Sequence, residues 1–580
     1  VRPTYEYYAD FVERWGVPDT GIVPLTSEQR RHRNYSYRIT RAGWYGFVIR
    51  IEAIDSRDRL TRYSPLNFFQ LRDEYEFDPE QVSFDKACRA DYVYDSGILR
   101  TLVAYNTFGV PHERYEFTYH PQRTGDERQA GIARVVPAML LGPTFDQDMN
   151  VEPSDHPSVI QFSRTPEGWT SRFEYFDAQM RPIETVTYGS KVAYSDFNDV
   201  GLPKKIVYQD DAGNPLIGNT QVATQALDYD NIGRRCLVTL FNYDDVPYRK
   251  YAINYDGDGN ISTFTNEDYD SATHSYEESV RQRIQYTSTG EFLTSSISDA
   301  SGGDVTWADD TYSAIIRDRD PSTGEDILRF LLGNQAVVSP CRCGSHADAD
   351  EIRSLFRHDG ALLQQVYAVN KRPQLTIKFE YDPAGRVTLN RWLDAENRLR
   401  PSPYFGEISY LYSSSGVVER RVCRGFSNDL TFSVLVISEF ADGESIVLVK
   451  EFFEHDGKTP AVGELDFHRE EFYFATDGSL GRVVYSKPAL KNAEHLASSM
   501  GFAEASKINS VDMRFSGGRI SEMAVFDNDG NRLRSWQGHD RIQFRYSANG
   551  AMTRKFLGID EQRFGFSYWE ETRSEEGQTM

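Results

Sequence analysis

Cys341, Cys343 and His346 fall within the six-residue run Cys341-Arg342-Cys343-Gly344-Ser345-His346, the densest group of soft metal ligands in the chain. Thiolate and imidazole are donors that zinc selects, yet a structural zinc takes four ligands and no second pair of matching spacing follows. The run reads as a loop with free thiols, and no metal is assigned to it. A Cys nucleophile with His346 as its base is disfavoured further, because residues so close in sequence rarely converge in the geometry a dyad needs. Asp256-Gly257-Asp258-Gly259-Asn260-Ile261-Ser262 imitates the start of a calcium loop, with Glu267 at the twelfth position. Ile261 occupies the place where that loop turns sharply on Gly, so the acidic residues read as turn chemistry. Gly457-Lys458-Thr459 lacks the upstream Gly of a phosphate loop, since Phe452 stands there. Hydrolase, metalloprotease, dinucleotide and kinase signatures are absent. The expectation is a protein with no catalytic residue and no cofactor, although a glycosidase-type carboxylate pair stays open among so many Asp and Glu.

What organises these residues is a repeat. Tyr194-Ser195-Asp196-Phe197-Asn198-Asp199-Val200-Gly201-Leu202-Pro203 precedes a short strand-like run and then Asp210-Asp211-Ala212-Gly213-Asn214-Pro215, with Gly201 and Gly213 separated by 12 positions. The same separation links Gly97 to Gly109, Gly290 to Gly302 and Gly518 to Gly530, and Gly385 to Asn397 in the equivalent place. A longer period of 32 joins Gly201 to Gly233 and Gly518 to Gly550, and one of 31 joins Gly259 to Gly290 and Gly385 to Gly416. Asp at the head of such a turn accepts nearby backbone N–H groups, and Gly supplies the backbone freedom that closes it. Strands flank the turns: Leu375, Ile377, Phe379 and Tyr381 alternate with Thr376, Lys378 and Glu380, as Ile542, Phe544 and Tyr546 alternate with Arg541, Gln543 and Arg545. A single hairpin is marginal in water, so neighbouring units must supply one another's core.

Composition agrees. The 580 residues contain 35 Tyr and 35 Phe against 8 Met, which favours pleated sheet over helix. A formal net charge of -23 disfavours phosphate backbones and anionic lipid surfaces as general partners, so neither nucleic acid nor membrane is expected. Five cysteines, at 88, 236, 341, 343 and 423, are too scattered for a disulfide framework and fit a reducing, cytoplasmic setting. No apolar run reaches the roughly 18 residues of a membrane helix. The N-terminal residues lack a signal peptide's basic and apolar stretches. A chain that begins at Val1 is compatible with a fragment, a processed product or a literal translation of a non-ATG start.

At Tyr229-Asp230-Asn231-Ile232-Gly233-Arg234 and Tyr381-Asp382-Pro383-Ala384-Gly385-Arg386 the chain resembles the YD repeats of bacterial Rhs and teneurin-like proteins, whose core is Y-D-x-x-G-R. The resemblance covers about two thirds of the chain, near 90–118, 172–303, 356–480 and 510–565, with degenerate copies such as Phe176-Asp177-Ala178-Gln179-Met180-Arg181. Its 31–32 residue period is longer than that usual in Rhs shells and is similar to a looser class of bacterial hairpin repeats found beside signalling domains. The stretch from Trp15 to Arg38 is similar to segments accompanying bacterial signalling proteins with kinase or formylglycine-generating-enzyme-like domains, neither of which is contained here.

The expected fold is therefore all-β, an antiparallel β-hairpin repeat array, as an elongated meander or solenoid, with a small helical N-terminal cap and irregular insertions. The cap spans 1–36. Tyr8, Phe11, Val12 and Trp15 share one helical face before Gly16, and Thr26 with Gln29 has the spacing of a capping box. Hairpin repeats are expected over 37–118, 172–303, 356–480 and 510–570, an insertion or strap over 119–171, another over 304–355, a helical insertion over 481–509 and a polar tail over 571–580. Leu490, Ala493, Leu496 and Ala497 define the helical face of the third interruption. Turn positions are Gly97, Gly109, Gly201, Gly213, Gly233, Gly259, Gly290, Gly302, Gly385, Gly416, Gly518, Gly530 and Gly550. The expected function is a non-catalytic protein-binding scaffold or regulatory subunit in a bacterial signalling or defence system, with a protein partner whose identity the residues do not give. A Rhs-like shell enclosing a cargo polypeptide and a hydrolase or metal-dependent enzyme with a site in the insertions are the alternatives.

Overall fold

The unit from which the fold grows is a turn closed by one carboxylate. In Asp382–Arg386 the Asp382 N–H donates to the Arg386 carbonyl at 2.9 Å and the Gly385 N–H to the Asp382 carbonyl at 3.0 Å. The Asp382 carboxylate then accepts the Arg386 N–H at 2.9 Å and its Nε–H at 2.7 Å. Asp230 and Arg234 repeat this arrangement, at 2.8 and 2.7 Å. The preceding Tyr ties the turn to the hairpin before it: Tyr229 Oη–H donates to the Pro203 carbonyl, Tyr255 to that of Arg235 and Tyr381 to that of Leu362, each at 2.7 Å. Arg234 in turn lies over the Tyr255 ring, 4.2 Å from its centroid. Every letter of Y-D-x-x-G-R thus has a mechanical role, within its own turn or toward the adjacent repeat.

The computed structural model describes residues 3–12, 20–42, 46–61, 88–109, 111–119, 130–135, 159–167, 169–176, 180–183, 189–216, 222–306, 312–332, 335–340, 348–357, 360–400, 406–414, 418–425, 434–442, 445–461, 467–474, 480–488, 507–516, 519–534, 539–546, 552–557 and 569–573. The chain divides into two units, Val1–Pro403 and Tyr404–Met580. In both, successive strands pair antiparallel with the next in sequence, the pattern that short turns enforce. All-β hairpin architecture, as expected, is what the chain adopts.

Unit Val1–Pro403 opens with a departure from that order: strand Thr4–Val12 lies between Thr20–Leu25 and Ser36–Ala42. The helix expected over Tyr5 to Trp15 is corrected by this strand. Tyr5, Tyr7, Ala9 and Phe11 alternate with Glu6, Tyr8 and Asp10, and two flanking strands supply ladder partners that an isolated helix would lack. The expected helical cap reduces to Ser27–Arg30, where the Thr26 hydroxyl accepts from the Gln29 N–H at 3.1 Å and the Gln29 side chain accepts from the Thr26 N–H at 2.9 Å.

Within 119–171, read as an insertion or strap, strands Ala130–Val135 and Val159–Arg164 pair with Pro111–Tyr119, with each other and with Thr170–Phe176, so the ladder runs through the segment. Within 304–355, Ala314–Arg319, Asp326–Leu332 and Glu351–Phe356 also extend the sheet, and the short pair Ser339–Pro340 and Asp348–Ala349 forms a separate ribbon. One apolar cluster runs from Tyr37 and Ile39 through Tyr92, Phe117, Phe162 and Tyr208 to Leu240.

Unit Tyr404–Met580 is a meander from Glu407–Tyr412 to Trp569–Arg573 around Phe467, Ile508, Val511, Val525, Ile542 and Phe556. The helical run expected at Leu490–Ala497 lies outside the described residues. The strands flanking it, Leu480–Pro488 and Ser510–Ser516, pair directly.

The turn carboxylates make the fold sensitive to acid. Side-chain donors from Asn214, Ser301, Ser322 and Thr459 and backbone N–H groups hold Asp210, Asp299, Asp320 and Asp456 below the ordinary carboxylate range, Asp456 down to about 2. Groups depressed in the folded state contribute stability above the unfolded value and lose it as pH falls through the folded one. The melting temperature should therefore drop between about pH 4 and pH 2. Asp456→Asn, which keeps an acceptor oxygen but does not titrate, should flatten part of that decline; an unchanged profile in the variant would show that this turn is not coupled to folding.

Candidate functional site

Alternate turns of a meander lie at the same end of its strands, so the sheet has two rows of turns. In unit Val1–Pro403 one row meets the opposite end of the first strands. Arg33 donates through Nη1 to the Asp258 carbonyl at 2.9 Å, and the Asn34 N–H donates to Asn260 Oδ1 at 2.6 Å. Asn260 Nδ2 returns a hydrogen bond to the His32 carbonyl at 3.0 Å, and His32 Nδ1 stands 2.7 Å from the Ser288 carbonyl oxygen. Farther along, Arg57 pairs with Glu291 at 2.6 Å. Beyond that, the Val387 N–H donates to the Phe108 carbonyl at 3.1 Å, and the Phe108 ring stacks on Phe379 at 4.9 Å. Order along the chain is kept on both sides: residues 32–34 meet 258–290, residue 57 meets 291, and 108 meets 379–387. The sheet has turned back on itself and stacked one row of turns on earlier loops.

Close approach at this seam explains a glycine. Gly290 has φ of 71°, and a Cβ there would lie 2.4 Å from the His32 carbonyl carbon and 2.5 Å from the Arg33 nitrogen. Gly302, twelve residues on and at the other row, has φ of 84° with nothing near such an atom. The remaining described turn positions, Gly97, Gly109, Gly201, Gly213, Gly233, Gly259, Gly385 and Gly530, also have positive φ. Gly416, Gly518 and Gly550 lie outside the described residues.

A cavity of about 180 Å³ opens along the seam, with Asn34, Arg59, Phe108, Glu291, Arg317 and Phe356 in its wall. Its charges answer one another. Glu291 holds Arg57 and stands 3.6 Å from Arg317 and 4.0 Å from Arg59, while Arg317 pairs with Asp326 and Arg59 with Asp55, both at 2.6 Å. Ion pairs so arranged fix loops against turns.

Cys341, Cys343 and His346 lie outside the described residues, and among the described residues no group of three His, Cys, Asp or Glu is placed to hold a metal. Burial pushes up the Cys88 and Cys423 thiols, moving them away from the reactive thiolate. Asp256 Oδ1 accepts the Asp258 and Asn260 N–H groups at 3.0 and 2.8 Å, so the calcium-like run is a turn that also serves the seam. Asp456 likewise closes the turn at Gly457-Lys458-Thr459. Sequence reasoning missed Arg33, Asn34 and Glu291. Asn260, standing where Arg234 and Arg386 stand in the sharper repeats, was the available signal.

No family model matches the chain, and no curated protein matches it. Among solved structures, it aligns with the Tc holotoxin pore of Photorhabdus luminescens at 11% identity and a TM-score of 0.26, covering 94% of this chain and 31% of that one. It aligns with a TcdB2–TccC3–Cdc42 crystal structure at 11% identity and 0.25, covering 100% and 31%. A porin-like protein from Bacteroides uniformis aligns at 8% identity and 0.09, covering 58% and 89%. The chain thus spans about a third of the length of the toxin chains it aligns with. Among the described residues no helix is long and apolar enough to cross a membrane.

Gly290 and Gly302 both have left-handed backbone, at φ of 71° and 84°, and differ in what lies against them. Gly302→Ala should cost about 1–2 kcal/mol for the left-handed backbone alone. Gly290→Ala should cost clearly more, because backbone at His32 and Arg33 must also move. Equal denaturant midpoint shifts for the two variants would refute the close approach.

Proposed function

We propose that the chain is a non-catalytic scaffold that binds another polypeptide. The observation that carries this reading is the contrast between the two rows of turns in unit Val1–Pro403. In one row the turns at 256–260, 287–291 and 382–387 are docked in the seam, while Val200 and Ile232 of that row stay exposed. At the other end of the same strands, Tyr243, Val246, Leu332, Val338 and Leu399 are exposed at 59%, 41%, 44%, 41% and 43%. Apolar side chains set at intervals along a stiff frame suit protein recognition, because little order has to be imposed when a partner arrives.

A shell that encloses a cargo polypeptide is the second reading, favoured by the seam itself: residues 32–34 meet turns more than 220 positions later, as a wall that winds upon itself requires. A cargo would copurify and resist added protease until the protein is unfolded. A surface-bound partner would be digested at once.

The direct test is the triple substitution Tyr243→Ser, Val246→Ser and Leu399→Ser. Its melting temperature should match that of the parent chain, while a crosslinked partner recovered by the parent should be reduced at least about tenfold, as loss of exposed anchor residues predicts. Equal recovery by both would remove this end of the strands from recognition.

A further inference from the structure

The longest hairpin overhangs its neighbours. Strand Ile261–Asp270 and strand Ser275–Tyr286 pair as far as Asp270 and Ser275, whereas the next strand, Phe292–Ser298, stops opposite Arg281. Among the described residues, Ser275–Val280 consequently has the strand before it on one side and no ladder partner on the other. On the opposite flank the neighbour Pro247–Tyr255 reaches Asp268. A bulge at Ser279, opposite the step from Asn266 to Glu267, sets the overhang off from the regular sheet.

This spur is held stiff. Tyr269 and Tyr276 meet edge to face at 5.2 Å, the Lys250 ammonium lies 4.6 Å from the Tyr276 ring centroid and pairs with Glu267 at 2.6 Å, and Arg249 pairs with Asp268 at 2.8 Å. At the tip, Asp270 accepts from the Ala272 N–H and the Thr273 hydroxyl, both at 2.8 Å. An unpaired strand edge is a template for another strand, and proteins guard such edges with charge. Here carboxylates outnumber cations: Arg249, Lys250 and Arg281 pair with Asp268, Glu267 and Glu278, and Glu277 and Asp270 stand beyond those three pairs. Glu277 and Glu278 sit on the free strand, with Asp268 and Asp270 beside them on its partner, in a chain of net charge -23.

We infer that the free edge of Ser275–Val280 is a docking strand for an extended, Lys- or Arg-bearing segment of another polypeptide, added by main-chain hydrogen bonding. Rigid placement reduces the ordering that strand addition demands, and the acidic side chains favour basic segments over a second acidic edge. The assignment rests on the scaffold reading and names the chemistry of one partner segment.

The test uses the full chain and two labelled eight-residue peptides, one alternating Arg with Val and one alternating Glu with Val. Fluorescence anisotropy should show binding of the basic peptide, weakened by added salt, and no binding of the acidic one. Glu277→Lys, at an exposed carboxylate outside the Arg281–Glu278 pair, should leave melting unchanged and weaken the basic peptide at least about threefold, since like charge replaces attraction. Hydrogen exchange at Ser275–Val280 should slow when the basic peptide is added to the parent chain. The proposal is overturned if both peptides bind alike, if the charge-reversed chain binds the basic peptide as tightly as the parent, or if protection appears elsewhere. Partner capture that depends on Tyr243, Val246 and Leu399 while the spur binds no peptide would retain the scaffold and reject the spur.

Discussion

Backbone meets backbone where Gly290 lies against His32 and Arg33, and much of the arrangement of unit Val1–Pro403 follows from that approach. Strand ladders by themselves join each hairpin to its neighbours in sequence. They do not fix where residue 33 stands relative to residue 259. The seam does, through turns whose own hydrogen bonds are already made by a side chain at their head, the Asp256 and Asp382 carboxylates or the Thr287 hydroxyl, so that their outer carbonyls and side-chain amides can serve a second purpose. The Asp258 carbonyl and the Asn260 amide illustrate this, each inside a completed turn and each bonded to an early loop. A turn that had to borrow its closing bonds from elsewhere could not also act as a rivet.

The same economy explains why the rows of turns differ. Where a turn is docked, large side chains are fitted against it and charges such as Glu291 are paired. Where it is open, as at Gly302 and Tyr243, the sequence retains turn residues and exposed rings. The β-hairpin spur at Ser275–Val280 belongs to the open end of the strands.

Much of this was legible in the residues. Alternation at Leu375, Ile377 and Phe379 and the Asp-to-Gly spacing report local physics, and local physics decides hairpins. The Thr26–Gln29 box was legible for the same reason. The strand Thr4–Val12 was not, because an aromatic run of that length satisfies helical and strand periods alike and only its two ladder partners decide between them. Nor were the paired strands inside 119–171 and 304–355, where the turn motif lapses while the ladder continues. The seam pairs residues more than 200 positions apart, and nothing in the spacing of Asn34 or Glu291 announces the turn it will meet.

Hydrogen exchange at the Asn34 and Val387 amides tests the seam most directly, since each donates across it, to Asn260 Oδ1 and to the Phe108 carbonyl. A closed seam predicts that both exchange slowly and that Asn260→Ala, which removes the acceptor for one and none of the bonds of the other, accelerates both. Exchange of Asn34 at the rate of an open loop in the parent chain, or a Val387 amide indifferent to the substitution, would contradict it.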